Sequence, residues 1–172
     1  MTRIRLLEGD ITAIPADALV NPTDTTLSGR GQGIDAQVHR LAGSDLTRAC
    51  AQIGTCQVGE AHLTPGYGLP VRYVVHVVGP EWRGGGQDEA QWLRQAYLAA
   101  LAQAASMGCR VLTVPAVSTG AMGYPIERAA PVAIGAISEC IATHPDWFDE
   151  IVLVMMSQEG MAAYAPFIGS HS

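Results

Sequence analysis

Two glycine-spaced segments hold the residues best suited to chemistry in this chain. The first, Gly29-Arg30-Gly31-Gln32-Gly33-Ile34-Asp35, opens a helical pattern; bare backbone amides at a helix start attract phosphate, and glycines let an anion approach closely. The second, Ser118-Thr119-Gly120-Ala121-Met122-Gly123-Tyr124-Pro125, offers two hydroxyls, two glycines and another helix start. Placed after two parallel strands, such a pair fits a ligand with two phosphates. The first loop reads G-x-G-x-G and follows the second strand, whereas a dinucleotide fingerprint reads G-x-G-x-x-G directly after the first. A nicotinamide-dependent oxidoreductase is therefore disfavoured. Carboxylates stand near both ends of the first segment. Asp35 stands at the helix start, which favours its ionised form, and reads as a helix-capping carboxylate or as a group facing a bound ligand. Asp24 can supply an acid if it lies beside Asp35 and a diphosphate, or simply close an Asx-turn. Arg30 reads as a solvated loop charge with phosphate contact as the alternative. His39, one turn beyond Asp35, reads as a packing histidine with a dyad as the alternative.

The elements that must position these loops are legible in the periodicity. Arg3–Glu8 and Ala16–Val20 read as strands, Glu60–Thr64 alternates, and Tyr73–Val78 is nearly continuous and β-branched, as is a strand buried on both faces. Val111–Val114 and Ile151–Met156 complete the strands. A helix runs from Ile34 through Val38 and Leu41. A second starts at Ser44 as its cap and stops near Gly54, and the longest runs from Asp88 to Met107 along the stripe Trp92, Leu93, Ala96, Tyr97, Ala100, Leu101, Ala104. A further helix begins near Pro125 or Ile126 and should kink or restart at Pro131, and Ala162–Ile168 closes the chain. Gly84-Gly85-Gly86 with Gln87-Asp88-Glu89 reads as a loop and helix cap, and His76 as a satisfied core group. Strands alternating with helices predict a three-layer α/β/α sandwich with a mostly parallel central sheet. Such a sheet opens its ligand crevice beyond the carboxyl ends of its strands, where all the unusual loops fall.

Composition narrows the function classes. The 172 residues suit one domain, with 48% apolar and 15% charged side chains. Ten basic residues, all arginine, face sixteen acids for a net charge of −6. The absence of lysine excludes Schiff-base chemistry and a phosphate loop of the Lys-Ser/Thr kind. The acidic balance weighs against nucleic acid. Cys50, Cys56, Cys109 and Cys140 show no zinc-ligand spacing and read as reduced, packed thiols; no metal and no cofactor is implied. No run approaches the ~18 apolar residues of a membrane span, and the start Met1-Thr2-Arg3-Ile4-Arg5 has no secretory pattern. The expected location is the cytoplasm.

The run Gly9-Asp10-Ile11-Thr12, then Asp17-Ala18-Leu19-Val20-Asn21, then Gly33-Ile34-Asp35-Ala36 with His39-Arg40-Leu41-Ala42-Gly43, resembles the macro domain, an ADP-ribose-binding module. The resemblance continues through Val75-His76, Val78-Gly79-Pro80, Pro115-Ala116, Ser118-Thr119-Gly120 and Gly123-Tyr124-Pro125, spanning nearly the whole chain in order. The subgroup it most resembles removes ADP-ribose from acidic side chains and deacetylates O-acetyl-ADP-ribose. The resemblance implies that Asp10 meets the adenine amino group with Ile11 packing nearby. Val20 and Asn21 would lie beneath the distal ribose, and Gly33, Ile34 and Asp35 along the diphosphate and that ribose. Ser118, Thr119, Gly120, Ala121 and Met122 would wrap the phosphates from the other side. The family's Asn-Ala-Ala-Asn segment reads Asn21-Pro22-Thr23-Asp24 here, and Met122 and Met156 stand where the family places aromatics. The implied partners are ADP-ribose, mono-ADP-ribosylated proteins and O-acetyl-ADP-ribose. In a hydrolase of this kind Asp35 would orient a water for attack at the distal ribose, with positioning outweighing proton abstraction; a non-catalytic ADP-ribose reader is the alternative.

Overall fold

The computed structural model describes residues 1–168. A six-stranded sheet runs in the order β1-β6-β5-β2-β4-β3, with β1 at Arg3–Glu8, β2 at Ala16–Pro22, β3 at Ala61–Pro65, β4 at Val71–Val77, β5 at Val111–Val114 and β6 at Glu150–Met155. All neighbouring pairs are parallel except β3 with β4. The mostly parallel α/β/α architecture is as the alternation predicts.

Hydrophobic patterning sorts the helices between the two faces. On one face, α1 (Gly33–Ala42) and α2 (Ser44–Ile53) bury Val38, Ala42, Leu46 and Cys50 against Leu19, Val74 and Val152. On the other, α3 (Glu89–Ser106), α4 (Ile126–Thr143) and α5 (Gln158–Ile168) pack on Val20, Val75, Leu112 and Leu153. The α3 stripe is buried at Leu93, Ala96, Tyr97, Ala100, Leu101 and Ala104; each large apolar side chain fully removed from water contributes about 1.5–3 kcal/mol.

Several boundaries differ from the sequence reading for local reasons. The α4 helix runs through Pro131 without a restart. Pro131 lies in its second turn, and the carbonyl deprived of a donor belongs to Glu127, an exposed residue, so the missing bond is not one lost in the core. Ser44 is the first residue of α2 rather than its cap; the cap position falls to Gly43, at φ 96°. The α5 helix begins at Gln158, four residues before Ala162, because the Ser157 hydroxyl accepts the Gly160 N–H at 3.1 Å and caps it. Beyond β1, a 3-10 turn at Ile11–Ala13 is capped by Asp10. The strand β2 runs on to Pro22, and Thr23 N–H still donates to Val77 C=O at 2.9 Å, carrying sheet geometry into the loop that follows.

Candidate functional site

The ends of β2, β5 and β6 open into a cavity of about 820 Å³. One wall is the start of α1, from Gly31 to Asp35; the opposite wall is the β5–α4 loop, Pro115 to Met122, and the start of α4; Met155, Met156 and Ser157 close a third side. Neither helix start facing the cavity is closed by a side chain: the cap residues are Gln32 for α1 and Pro125 for α4, and neither makes a side-chain capping bond. The first amides of each helix therefore lack an acceptor from the cap, while each first turn carries one carboxylate, Asp35 in α1 and Glu127 in α4. Among the described residues, the N–H groups of Gly120, Ala121 and Met122 donate to no protein acceptor.

The β5–α4 loop is held open by its own bonds. Ser118 adopts a left-handed backbone at φ 69° and its carbonyl accepts Tyr124 N–H at 2.9 Å. The Thr119 hydroxyl donates to Ala116 C=O at 2.7 Å, and Gly123 N–H to Gly120 C=O at 2.9 Å. Ser118 Oγ is buried without a hydrogen-bond partner, a donor kept in reserve at the cavity wall. Gly79 has to be glycine here, since a Cβ would lie 2.1 Å from that oxygen. Tyr97, fully buried on α3, holds the base of the loop: its hydroxyl accepts Val117 N–H at 2.9 Å and donates to Pro115 C=O at 3.2 Å. Trp82 supports the far end, its ring tilted by 44° against Tyr124 with centroids 4.6 Å apart and its backbone N–H donating to Met122 C=O at 2.9 Å.

Beneath the opposite wall lies a buried polar network centred on Asp35, which is 5% exposed. Asn21 Nδ2 donates to its Oδ1 at 2.9 Å and the Thr23 hydroxyl to its Oδ2 at 3.0 Å. His39 Nε2 stands 3.6 Å from Oδ1, so the two residues do meet, and the His39 Nδ1 pairs with the Thr47 hydroxyl at 3.0 Å. His76 Nδ1 faces Asn21 Nδ2 at 3.2 Å, and its Nε2 faces the Thr64 hydroxyl at 2.9 Å. Thr64 itself donates to Pro65 C=O, and Asn21 Nδ2 can only donate, so the proton of His76 sits on Nε2. Burial first, then the nearby imidazoles of His39 and His62, push His76 down to about 3, so it stays neutral. Burial and the Asp35 charge push the Cys50 thiol up to about 11, which leaves it unreactive. All four cysteines are buried and free.

The cavity thus gathers Asp24, Gly33, Ile34, Asp35, Ser118, Thr119, Gly120, Ala121, Met122 and Met156 from the sequence reading. Four others do not line it. Asn21 is fully buried behind Asp35, Val20 is fully buried on the opposite face of the sheet under α3 and α4, and Ile11 is buried in the 3-10 turn. Asp10 is exposed at the end of β1, where its Oδ1 accepts both the N–H and hydroxyl of Thr12 and its Oδ2 accepts Gln37 Nε2 at 2.9 Å. The Thr12 hydroxyl, foremost among these contacts, holds its carboxyl below the ordinary range. Asp24 closes an Asx-turn, its Oδ1 accepting the N–H and hydroxyl of Thr26 at 2.9 and 2.5 Å. Arg30 is exposed and off the cavity. Thr23 and Tyr97 belong to the site without having been singled out for it: a threonine after a strand and a tyrosine on an apolar stripe carry no local signal of the partners the fold brings them. The Gly84–Gly86 loop is structural. Burial would raise the Glu89 carboxyl, but the N–H groups of Arg83, Gly85 and Gln87 outweigh it and bring it down to about 2.

A mostly parallel sheet with two uncapped helix starts facing one cavity beyond its strand ends defines an anion-binding α/β domain. Within that class the chain belongs to the Macro domain family, whose sequence profile matches residues 20–133. A Macro domain-containing protein of Ralstonia nicotianae is 42% identical over 94% of this chain and 91% of its own length. A protein named O-acetyl-ADP-ribose deacetylase from Cronobacter sakazakii is 38% identical over 98% of this chain and 95% of its own. Among solved structures, the Trypanosoma brucei macrodomain in complex with ADP-ribose superimposes with a TM-score of 0.90 at 36% identity, covering 97% of this chain and 69% of that one. The Oceanobacillus iheyensis macrodomain with ADP gives 0.87 at 28% identity, covering 96% of this chain and 89% of that one. No helix among the described residues is long and apolar enough to cross a membrane.

Proposed function

We propose that this chain binds ADP-ribose and hydrolyses its conjugates, removing mono-ADP-ribose from acidic side chains, deacetylating O-acetyl-ADP-ribose, or both. The observation that carries the reading is the pair of uncapped helix starts on opposite walls of one cavity, with the free amides of Gly120, Ala121 and Met122 and the unpartnered Ser118 hydroxyl between them. Preorganised donors of this kind suit a diphosphate. Gly33 and Ile34 grip one side of it and Ser118 to Met122 the other. The family resemblance puts the adenine end at Asp10 and Ile11, outside the lining of this cavity and with Asp10 already bonded to Thr12 and Gln37, and Met122 and Met156 supply apolar padding in place of rings. Asp35 is the group for a reacting water. It is the buried carboxylate of the cavity wall, and each of its oxygens, having accepted one protein donor, keeps a lone pair for another. Asn21 acts from behind through its bond to Asp35, and Val20 only anchors the end of β2 in the core on the other face of the sheet. Water held at the distal ribose attacks the anomeric carbon and expels the acidic side chain as its carboxylate, or attacks the acetyl carbonyl and releases acetate; ADP-ribose is the product of both. The relatives named O-acetyl-ADP-ribose deacetylase support the second reaction.

A non-catalytic reader is favoured by one observation: the Asp24 Oδ1 is committed to its Asx-turn, which leaves the ribose oxygen expelled in deacetylation without an evident acid, although a carboxylate leaving group needs none. The test follows label release from an auto-modified mono-ADP-ribosyl protein, and acetate release from O-acetyl-ADP-ribose, for the parent, Asp35→Ala and Asp24→Asn, with ADP-ribose binding measured by calorimetry. The expected result is release by the parent, its loss in Asp35→Ala with binding retained, and an unchanged pH-rate profile in Asp24→Asn if the turn is its whole role. Tight binding without release makes the chain a reader; absence of binding removes the nucleotide assignment.

A further inference from the structure

We propose that Thr23 is a positioning residue for Asp35, and that its hydroxyl forms with Asn21 and His76 a bracket that fixes the plane of the carboxylate in the cavity wall. This rests on the hydrolase reading above and names a group that reading does not require. The terminal torsion of an aspartate is soft, with broad, roughly two-fold preferences, so one contact does not fix where its oxygens point. Here each oxygen has its own donor: Asn21 Nδ2 on Oδ1 at 2.9 Å and Thr23 Oγ1 on Oδ2 at 3.0 Å.

Both donors are held from the sheet rather than from the helix that carries Asp35. Thr23 is 7% exposed, its N–H is tied to Val77 C=O at 2.9 Å, and its β-branched side chain is stiff at χ1. Asn21 is fully buried with both amide hydrogens assigned, one to Asp35 and one to His76 Nδ1. It cannot flip, because its carbonyl would then face two acceptors. His76 is held in turn by Nε2–H donation to Thr64. Removing the Thr23 hydroxyl leaves Oδ1 pinned and Oδ2 free to swing. A small misplacement of a group that orients a reacting water costs rate far more than binding.

The test uses Thr23→Val, which keeps the shape and deletes the donor, Thr23→Ser, which keeps the donor and deletes a methyl, and Thr23→Ala, which leaves room for water. O-acetyl-ADP-ribose turnover, ADP-ribose affinity and melting temperature are measured for each. The expected result is a kcat about tenfold lower in Thr23→Val, with KM and ADP-ribose affinity within about twofold of the parent, and recovery in Thr23→Ser. Parental kcat in Thr23→Val overturns the proposal. So does equal loss in Thr23→Val and Thr23→Ser, which makes the methyl the important group, and so does failure of both Thr23→Val and Thr23→Ala to fold, which makes the role structural. A parent that binds ADP-ribose without turnover overturns the hydrolase reading and the bracket together, a result distinct from parental turnover that ignores Thr23.

Discussion

A left-handed backbone and a buried imidazole together decide what can occupy position 29. Gly29 sits at φ 71°, and a Cβ there would lie 2.3 Å from Cγ of the His39 ring. Gly33, at φ 70°, has nothing within 4 Å of its own missing Cβ. Alanine at either position pays about 1–2 kcal/mol for the left-handed conformation, but at 29 it must also displace a ring that faces Asp35 and Thr47. Gly29→Ala should therefore lower stability in urea unfolding by clearly more than Gly33→Ala, and equal losses would show that the loop does not pack on His39 as described. The sequence displays the spacing of Asp35 and His39 along one helical face, so their meeting was open to reading. It could not display which of Asp24 and Asp35 would be drawn into the network. That depends on Asn21 and Thr23 arriving from the sheet, whereas Asp24 satisfies itself locally with Thr26.

Among the elements, α3 does more than cover the sheet, because Tyr97 reaches from its apolar stripe to the first residues of the β5–α4 loop. Tyr97→Phe keeps the ring and strands a buried Val117 N–H, a loss of about 1–3 kcal/mol. The loop it holds forms one wall of the cavity, so ADP-ribose affinity by calorimetry should fall along with urea stability; loss of stability with affinity intact would uncouple α3 from the site. Element types and most boundaries were legible because periodicity reports burial: β1 and β5 match residue for residue, and α3 within one residue at each end. The misses share a cause. Ser157, Gly43 and the exposed Glu127 carbonyl decide where α5 starts, what caps α2 and why Pro131 is tolerated, and each decision rests on one side chain, one φ angle or solvent access rather than on a pattern.

At the scale of the whole molecule, placing a neutral histidine on β4, between β2 and β3, makes stability depend on pH. His76 is fully buried and pushed down to about 3, whereas a solvated imidazole titrates near 6.5. Between those values the unfolded chain holds a proton that the folded chain refuses, so acid favours unfolding. The sign is that of a depressed group: the stability associated with neutral His76 is whole above pH 6.5 and is lost progressively as pH falls toward 3. One such group gives a slope of roughly 1.4 kcal/mol per pH unit. Below about 4.5 the Glu89 carboxyl, held to about 2 by loop amides that outweigh its burial, adds a second contribution of the same sign. Asp10 and Asp149, held low chiefly by Thr12 and Arg110 respectively, act in the same direction. Urea midpoints measured from pH 8 to pH 4 should be level at first and then decline below pH 6.5, before the carboxylates engage. His76→Gln, which retains an acceptor for Asn21 but cannot take up a proton, should be less stable than the parent at pH 8 and yet lose less between pH 6.5 and pH 4.5. A variant whose stability falls as steeply as the parent's over that interval would show that the acid sensitivity lies elsewhere and that His76 is not kept neutral by the fold.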